Sequence, residues 1–156
     1  MYERILVPVD GSPTSTQGLD EAIKLAKLTG ASLRLVHVVN ELTFATGFEF
    51  YTGDVIGMLK EAGEQVLAEA KARVQASGLD AVTFLAENFG SRVCDIVVDE
   101  ATKWKADLIV IGSDAEQIVR MAAVPVLLVR ALATKAEPIV APARDTTAPV
   151  RSAVPA

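Results

Sequence analysis

Apolar residues fall along this chain in short unbroken runs, separated by longer stretches in which they recur at helical spacing. The first run is Ile5-Leu6-Val7-Pro8-Val9, and it stops at Asp10-Gly11-Ser12. A continuous apolar run ending in turn residues predicts a strand buried on both faces. Pro8 has no N–H to give to a ladder, so it belongs at the end of that strand or at a bulge. Ser12 and Pro13 then read as helix cap and first helical residue, with Leu19, Ala22, Ile23 and Ala26 along one face and Gly30 as the stop.

The alternation repeats. Residues 33–39 predict a second strand, and residues 43–53 show no clear period. A long helix follows, with Val55, Met58, Leu59, Ala62, Val66, Ala70 and Val74 on its apolar face. Gly57 and Gly63 each weaken that helix by about 1 kcal/mol relative to alanine. Gly78 ends it, and residues 81–86 read as a third strand. Ser91 is the expected cap of a helix that buries Val93, Ile96, Val97 and Ala101, and residues 108–111 form the fourth strand. Ser113-Asp114-Ala115-Glu116 has the spacing of a capping box, which predicts a short helix to about residue 122 and then a last strand over residues 126–129.

Five apolar strands alternating with four helices imply a doubly wound α/β architecture: a five-stranded, mostly parallel sheet with helices on both faces, joined by right-handed crossovers. From residue 133 onward Pro138, Pro142, Pro149 and Pro155 interrupt both helix and strand. The expected organisation is one domain over residues 1–132 and a flexible Ala/Pro-rich tail over residues 133–156.

Composition narrows the function. A net charge of -5 gives no basic field for phosphate backbones, so nucleic acid is not an expected partner. The five apolar residues before Asp10 are too few for a signal-peptide core, and no stretch approaches a membrane span, so the expectation is a cytoplasmic protein with no membrane partner. One cysteine, Cys94, cannot form an internal disulfide. It falls near an apolar helix face with no histidine or basic pair nearby in sequence to activate it, which favours a structural thiol over a nucleophile. The one histidine, His37, lies in a buried strand, where a structural role outweighs a catalytic one. The carboxylates are scattered in the manner of a solvated face, and neither a Walker loop nor G-x-G-x-x-G is present. No catalytic residue and no metal ligand is assigned.

In an open α/β sheet, ligands sit beyond the carboxyl ends of the strands, where strand order reverses. With strand order 3-2-1-4-5, the residues to weigh are Pro8, Val9 and Asp10 after the first strand, Val38 late in the second, and Ile111, Gly112, Ser113 and Asp114 after the fourth. Asp10 could accept from an amine or hydroxyl, Gly112 would admit a ligand to the backbone, and the helix after Ser113 offers N–H groups to an anion. Each also has an ordinary reading: Asp10 as a turn former, Gly112 as a turn glycine, Ser113 as a helix cap.

The opening Ile5-Leu6-Val7-Pro8-Val9-Asp10-Gly11-Ser12, then Leu35-Val36-His37-Val38, Ala106-Asp107-Leu108-Ile109-Val110-Ile111-Gly112, and Val124-Pro125-Val126-Leu127-Leu128-Val129-Arg130 stand in an order that resembles the universal stress protein family. The resemblance implies an adenine-nucleotide alpha hydrolase-like fold and a stress-associated regulatory module rather than an enzyme. It implies ATP or AMP as ligand, with Asp10 and Val38 at the adenosine moiety. It also implies a homodimer paired antiparallel through residues 126–129. The family carries a glycine-rich phosphate loop after the fourth strand, and here the pattern departs: Gly112-Ser113 runs directly into the next helix, leaving roughly 13 residues of that loop without a counterpart. A natural deletion, an engineered one and a loop omitted from the written sequence all produce that spacing. Weak phosphate binding is the expected consequence, and a dimeric scaffold acting through protein contacts alone is the alternative.

Overall fold

The structure, a computed structural model, describes residues 1–40, 54–88, 90–112 and 116–130. Its elements run β1 (Arg4–Pro8), α1 (Pro13–Thr29), β2 (Ser32–Asn40), α2 (Val55–Ala76), β3 (Ala81–Asn88), α3 (Val93–Trp104), β4 (Leu108–Gly112), α4 (Glu116–Met121) and β5 (Val126–Val129). The sheet order is β3-β2-β1-β4-β5, and every described pairing is parallel. The doubly wound α/β reading therefore holds in element order, strand order and direction.

Burial on both faces explains the unbroken apolar run of β1, where Ile5, Leu6 and Val7 are fully buried. Ile5 and Val7 join Leu19, Ala22, Leu35 and Val74 in a cluster under α1 and α2. Leu6 points the other way, to Val36, Val97 and Ile109 under α3. Each such side chain contributes about 1.5–3 kcal/mol through the area it removes from water. Pro8 is the last residue of β1, the strand-end position its missing donor requires. α1 begins as expected: the Ser15 N–H donates to Ser12 Oγ at 3.2 Å, and Pro13 opens the helix.

Three expectations are corrected. Ala70 and Val74 of α2 are buried as expected, but Gly63 and Leu67 complete the buried face where Met58 and Ala62, both exposed, were expected. α3 starts at Val93 without a side-chain cap from Ser91. Instead the buried Asn88 side chain ties the preceding turn, accepting from the Gly90 and Ser91 N–H groups and donating to the Ser91 carbonyl at 2.5 Å. Nor are the acidic residues all solvated. Glu100 is buried and pairs at 2.8 Å with Arg34 of β2, whose guanidinium lies over the rings of Phe84 and Trp104. A charge leaves water in such a place only with a partner, and Arg34 is that partner.

Candidate functional site

β1 is the strand at which the sheet parts. It registers with β4 only at Ile5 and Leu6, opposite Leu108 and Ile109, and with β2 as far as Pro8 opposite Val36. Beyond those rungs the strands diverge, and the space between them is a cavity of about 360 Å³ at the carboxyl end of the sheet. That volume lies within the range of small-molecule sites.

Six of the eight sequence-derived candidates, Pro8, Val9, Asp10, Val38, Ile111 and Gly112, line this one cavity. Ser113 and Asp114 lie outside the described residues, as do the first residues of the capping box. Sequence reasoning missed the remaining walls: Ser12, Thr14 and Ser15 of the α1 start, Val36 and His37 of β2, Val93 and Val97 of α3, and Ile118 of α4. The helix residues could have been found only by knowing which helix crosses which face, which no local spacing records.

The turn after β1 is closed on itself. Gly11 takes a φ of 80°, a left-handed conformation that glycine adopts without strain. Asp10 Oδ1 accepts from the Ser12 N–H at 2.8 Å, and the Asp10 N–H donates to Ser15 Oγ at 3.1 Å. Asp10 is thus the turn former of its ordinary reading. It is also exposed and lines the cavity, and its Oδ2 has no partner among the described residues, which leaves one carboxylate oxygen with capacity to accept.

Gly112 has a different reason from the one expected. A Cβ built on it would lie against the Thr14 carbonyl and 2.8 Å from the Ser15 nitrogen, so the backbone that approaches Gly112 is the first turn of α1. The glycine lets the helix come close, and Gly112 also forms part of the cavity lining.

Chemically the cavity offers apolar walls from Val36, Val38, Val97, Ile111 and Ile118, and polar groups gathered at one end in Asp10, Ser12, Thr14 and Ser15. Among the described lining residues there is no lysine or arginine. α4 is a helix of six residues whose first-turn Glu116 pairs with Arg120 at 2.8 Å. Cys94 is buried beside Val97 and Ile118 and directs Sγ to Gln117 Oε1 at 3.2 Å, the packed thiol that its apolar surroundings suggested. Among the described residues no group of His, Cys, Asp and Glu could hold a metal ion, and no helix is long and apolar enough to cross a membrane.

Comparison with known proteins gives this geometry a context. Residues 1–130 match the model of the universal stress protein family. A universal stress protein of Methanocaldococcus jannaschii is 30% identical over 144 residues, covering 83% of each chain. Since 83% of 156 residues is about 130, about 14 of those 144 aligned positions have no residue here. Among solved structures, a universal stress protein family member from Burkholderia pseudomallei superposes with a TM-score of 0.73 at 33% identity, over 83% of this chain and 97% of that one. The universal stress protein of Archaeoglobus fulgidus in complex with dAMP superposes at 0.63 with 26% identity, over 81% and 97%. The chain belongs to the universal stress protein family.

Proposed function

We propose that this protein is a regulatory module that takes an adenine nucleoside or nucleotide, AMP or ATP, by its adenosine end in the cleft between β1, β2 and β4. In this reading it holds phosphates weakly and acts without catalytic turnover. The observation that carries the reading is the convergence of Pro8, Val9, Asp10, Val38, Ile111 and Gly112 on one 360 Å³ cavity at the point where strand order reverses. The apolar walls suit a purine, and the free oxygen of Asp10 suits a hydroxyl or amine. The dAMP bound by the Archaeoglobus relative is of the same chemical class. Weak phosphate binding follows from two features: a lining without lysine or arginine among the described residues, and Gly112 followed directly by residues 113–115 and α4 where the family has its glycine-rich loop. The proposed assembly is a homodimer through β5, an edge strand on which Leu127 and Leu128 are both exposed.

The test is a calorimetric titration with adenosine of the wild type and of Val38→Phe, which fills the cleft from its apolar wall. Binding by the wild type that the variant loses while its melting temperature stays close supports the site. Equal binding by both moves the ligand elsewhere.

A second reading, a scaffold of the same fold that binds no nucleotide, is favoured by the structural employment of two candidates: Asp10 closes a turn, and Gly112 receives a helix. An absence of heat with adenosine and with AMP at millimolar concentration would select it.

A further inference from the structure

The cleft opens where β1 leaves the sheet, and one side chain of β2 holds that point. After the last register pair, Pro8 and Val36, the Val9 N–H makes one more rung to the Val36 carbonyl at 2.8 Å. The chain then turns away, and the Val9 carbonyl meets Nδ1 of His37 at 2.8 Å. A carbonyl oxygen only accepts, so Nδ1 carries the proton, and neutral His37 is the Nδ1–H tautomer.

The ring reaches Val9 because α2 makes room for it. A Cβ on Gly63 would lie 2.7 Å from His37 Cδ2, 3.2 Å from Nε2 and 2.9 Å from Leu85 Cδ1. Gly63 is buried in the face of α2 that packs on the sheet, where alanine would otherwise improve the helix by up to about 1 kcal/mol. The glycine is the recess that seats the imidazole. Helix α2, His37 and the end of β1 are thus in mechanical series, and the residue after the pinned Val9 carbonyl is Asp10.

We propose that His37 is a positioning residue for the adenosine site: through Nδ1–H to the Val9 carbonyl it sets the Val9–Asp10 peptide, and so the direction of the Asp10 carboxylate, with Gly63 as the seat. This rests on the adenosine reading of the cleft. Three variants separate the parts. His37→Phe keeps a ring and removes the donor. His37→Asn removes the ring but carries an amide nitrogen near the place of Nδ1. Gly63→Ala lies outside the cavity lining itself and acts on it only by displacing the His37 imidazole.

The experiment combines adenosine calorimetry on the wild type and the three variants with long-range proton–nitrogen spectra of the ligand-free wild type. His37→Phe and Gly63→Ala should each weaken adenosine binding by roughly three- to tenfold, the equivalent of one neutral hydrogen bond, while His37→Asn stays within about twofold. The spectrum should give a protonated Nδ1 and an unprotonated Nε2. A wild type that binds adenosine with His37→Phe binding equally well overturns the positioning role alone. An Nε2–H tautomer does the same without any ligand or variant. A wild type that binds no adenosine overturns the site reading, and this inference with it.

Discussion

Gly18 in α1 and Gly112 at the end of β4 face each other with no room for a side chain between them. A Cβ on Gly18 would lie 2.9 Å from the Gly112 nitrogen, and one on Gly112 would lie 2.8 Å from the Ser15 nitrogen. This close crossing sets α1 against the sheet, and so sets where Ser12, Thr14 and Ser15 stand at the cavity. Replacing a mid-helix glycine by alanine ordinarily stabilises by up to about 1 kcal/mol. Here the sign should reverse: Gly18→Ala and Gly112→Ala are each expected to destabilise by about 1–3 kcal/mol, because backbone must move to admit the methyl group. Urea unfolding of both variants measures it, and a gain in stability for either would contradict the crossing.

At the opposite end of the sheet, Glu100 and Arg34 should behave as a coupled pair. Glu100→Leu leaves a largely buried guanidinium uncompensated, and a loss of about 3–5 kcal/mol is expected. Adding Arg34→Met should recover most of that loss, because a hydrophobic pair of similar volume needs no desolvation. A double-mutant cycle by denaturant unfolding checks it: additive losses would mean that the two residues do not stabilise each other.

Asp20 of α1 and Arg73 of α2 form a bidentate pair at 2.5 and 2.8 Å across the two helices. The Arg73 hydrogen bond holds the Asp20 carboxyl below its ordinary value of 3.8. A carboxyl depressed in the folded state stabilises above its unfolded pKa, and that contribution disappears as pH falls through the folded one. The pair is partly exposed, so its contribution is about 0.5 kcal/mol. Asp20→Asn should lower stability by that amount at neutral pH and by nothing once the wild-type carboxyl is protonated. Parallel unfolding curves at pH 7 and pH 2.5 would reveal the convergence, and a constant difference would assign the effect to something other than the charge.

These relationships divide what the chain reveals locally from what only the fold supplies. Pro8 announced a strand end because a missing donor is a property of the residue itself. Ser12-Pro13 announced a helix start for a similarly local reason. Gly63 and Leu67 were left off the expected apolar face because helical spacing gives a period without fixing the face, and Gly63 is buried against His37, which arrives from another element. Glu100 looked like a surface carboxylate since its partner is far away in sequence. The one available signal was Arg34, a charge inside an otherwise apolar strand that has to be answered by an acid. Of the site, the strand-end residues were legible from the α/β rule, whereas Val93, Val97 and Ile118 arrive on helices whose crossing no spacing encodes.

Assembly should depend on the edge. β5 pairs with β4 on one side, and Leu127 and Leu128 are exposed on its two faces. An apolar edge of this kind invites a second strand. Light scattering at micromolar concentration is expected to return twice the chain mass, and Leu127→Pro, which removes a ladder donor, should shift the protein toward monomer. A monomeric wild type would contradict the proposed pairing.

The proposed function turns on the difference between the two ends of the ligand. Charge-assisted hydrogen bonds contribute about 1.5–3 kcal/mol each, so a site lacking two or three phosphate donors forgoes about 3–6 kcal/mol, or roughly a hundredfold to ten-thousandfold in affinity. The most direct measurement is calorimetry with adenosine and with ATP on two chains of verified intact mass: the protein as it stands, and one with a family-like glycine loop inserted after Gly112. The account predicts that the unmodified chain binds ATP no more tightly than adenosine, and that the inserted loop tightens ATP at least a hundredfold with little change for adenosine. Micromolar ATP binding by the unmodified chain, unaltered by the insertion, would contradict it.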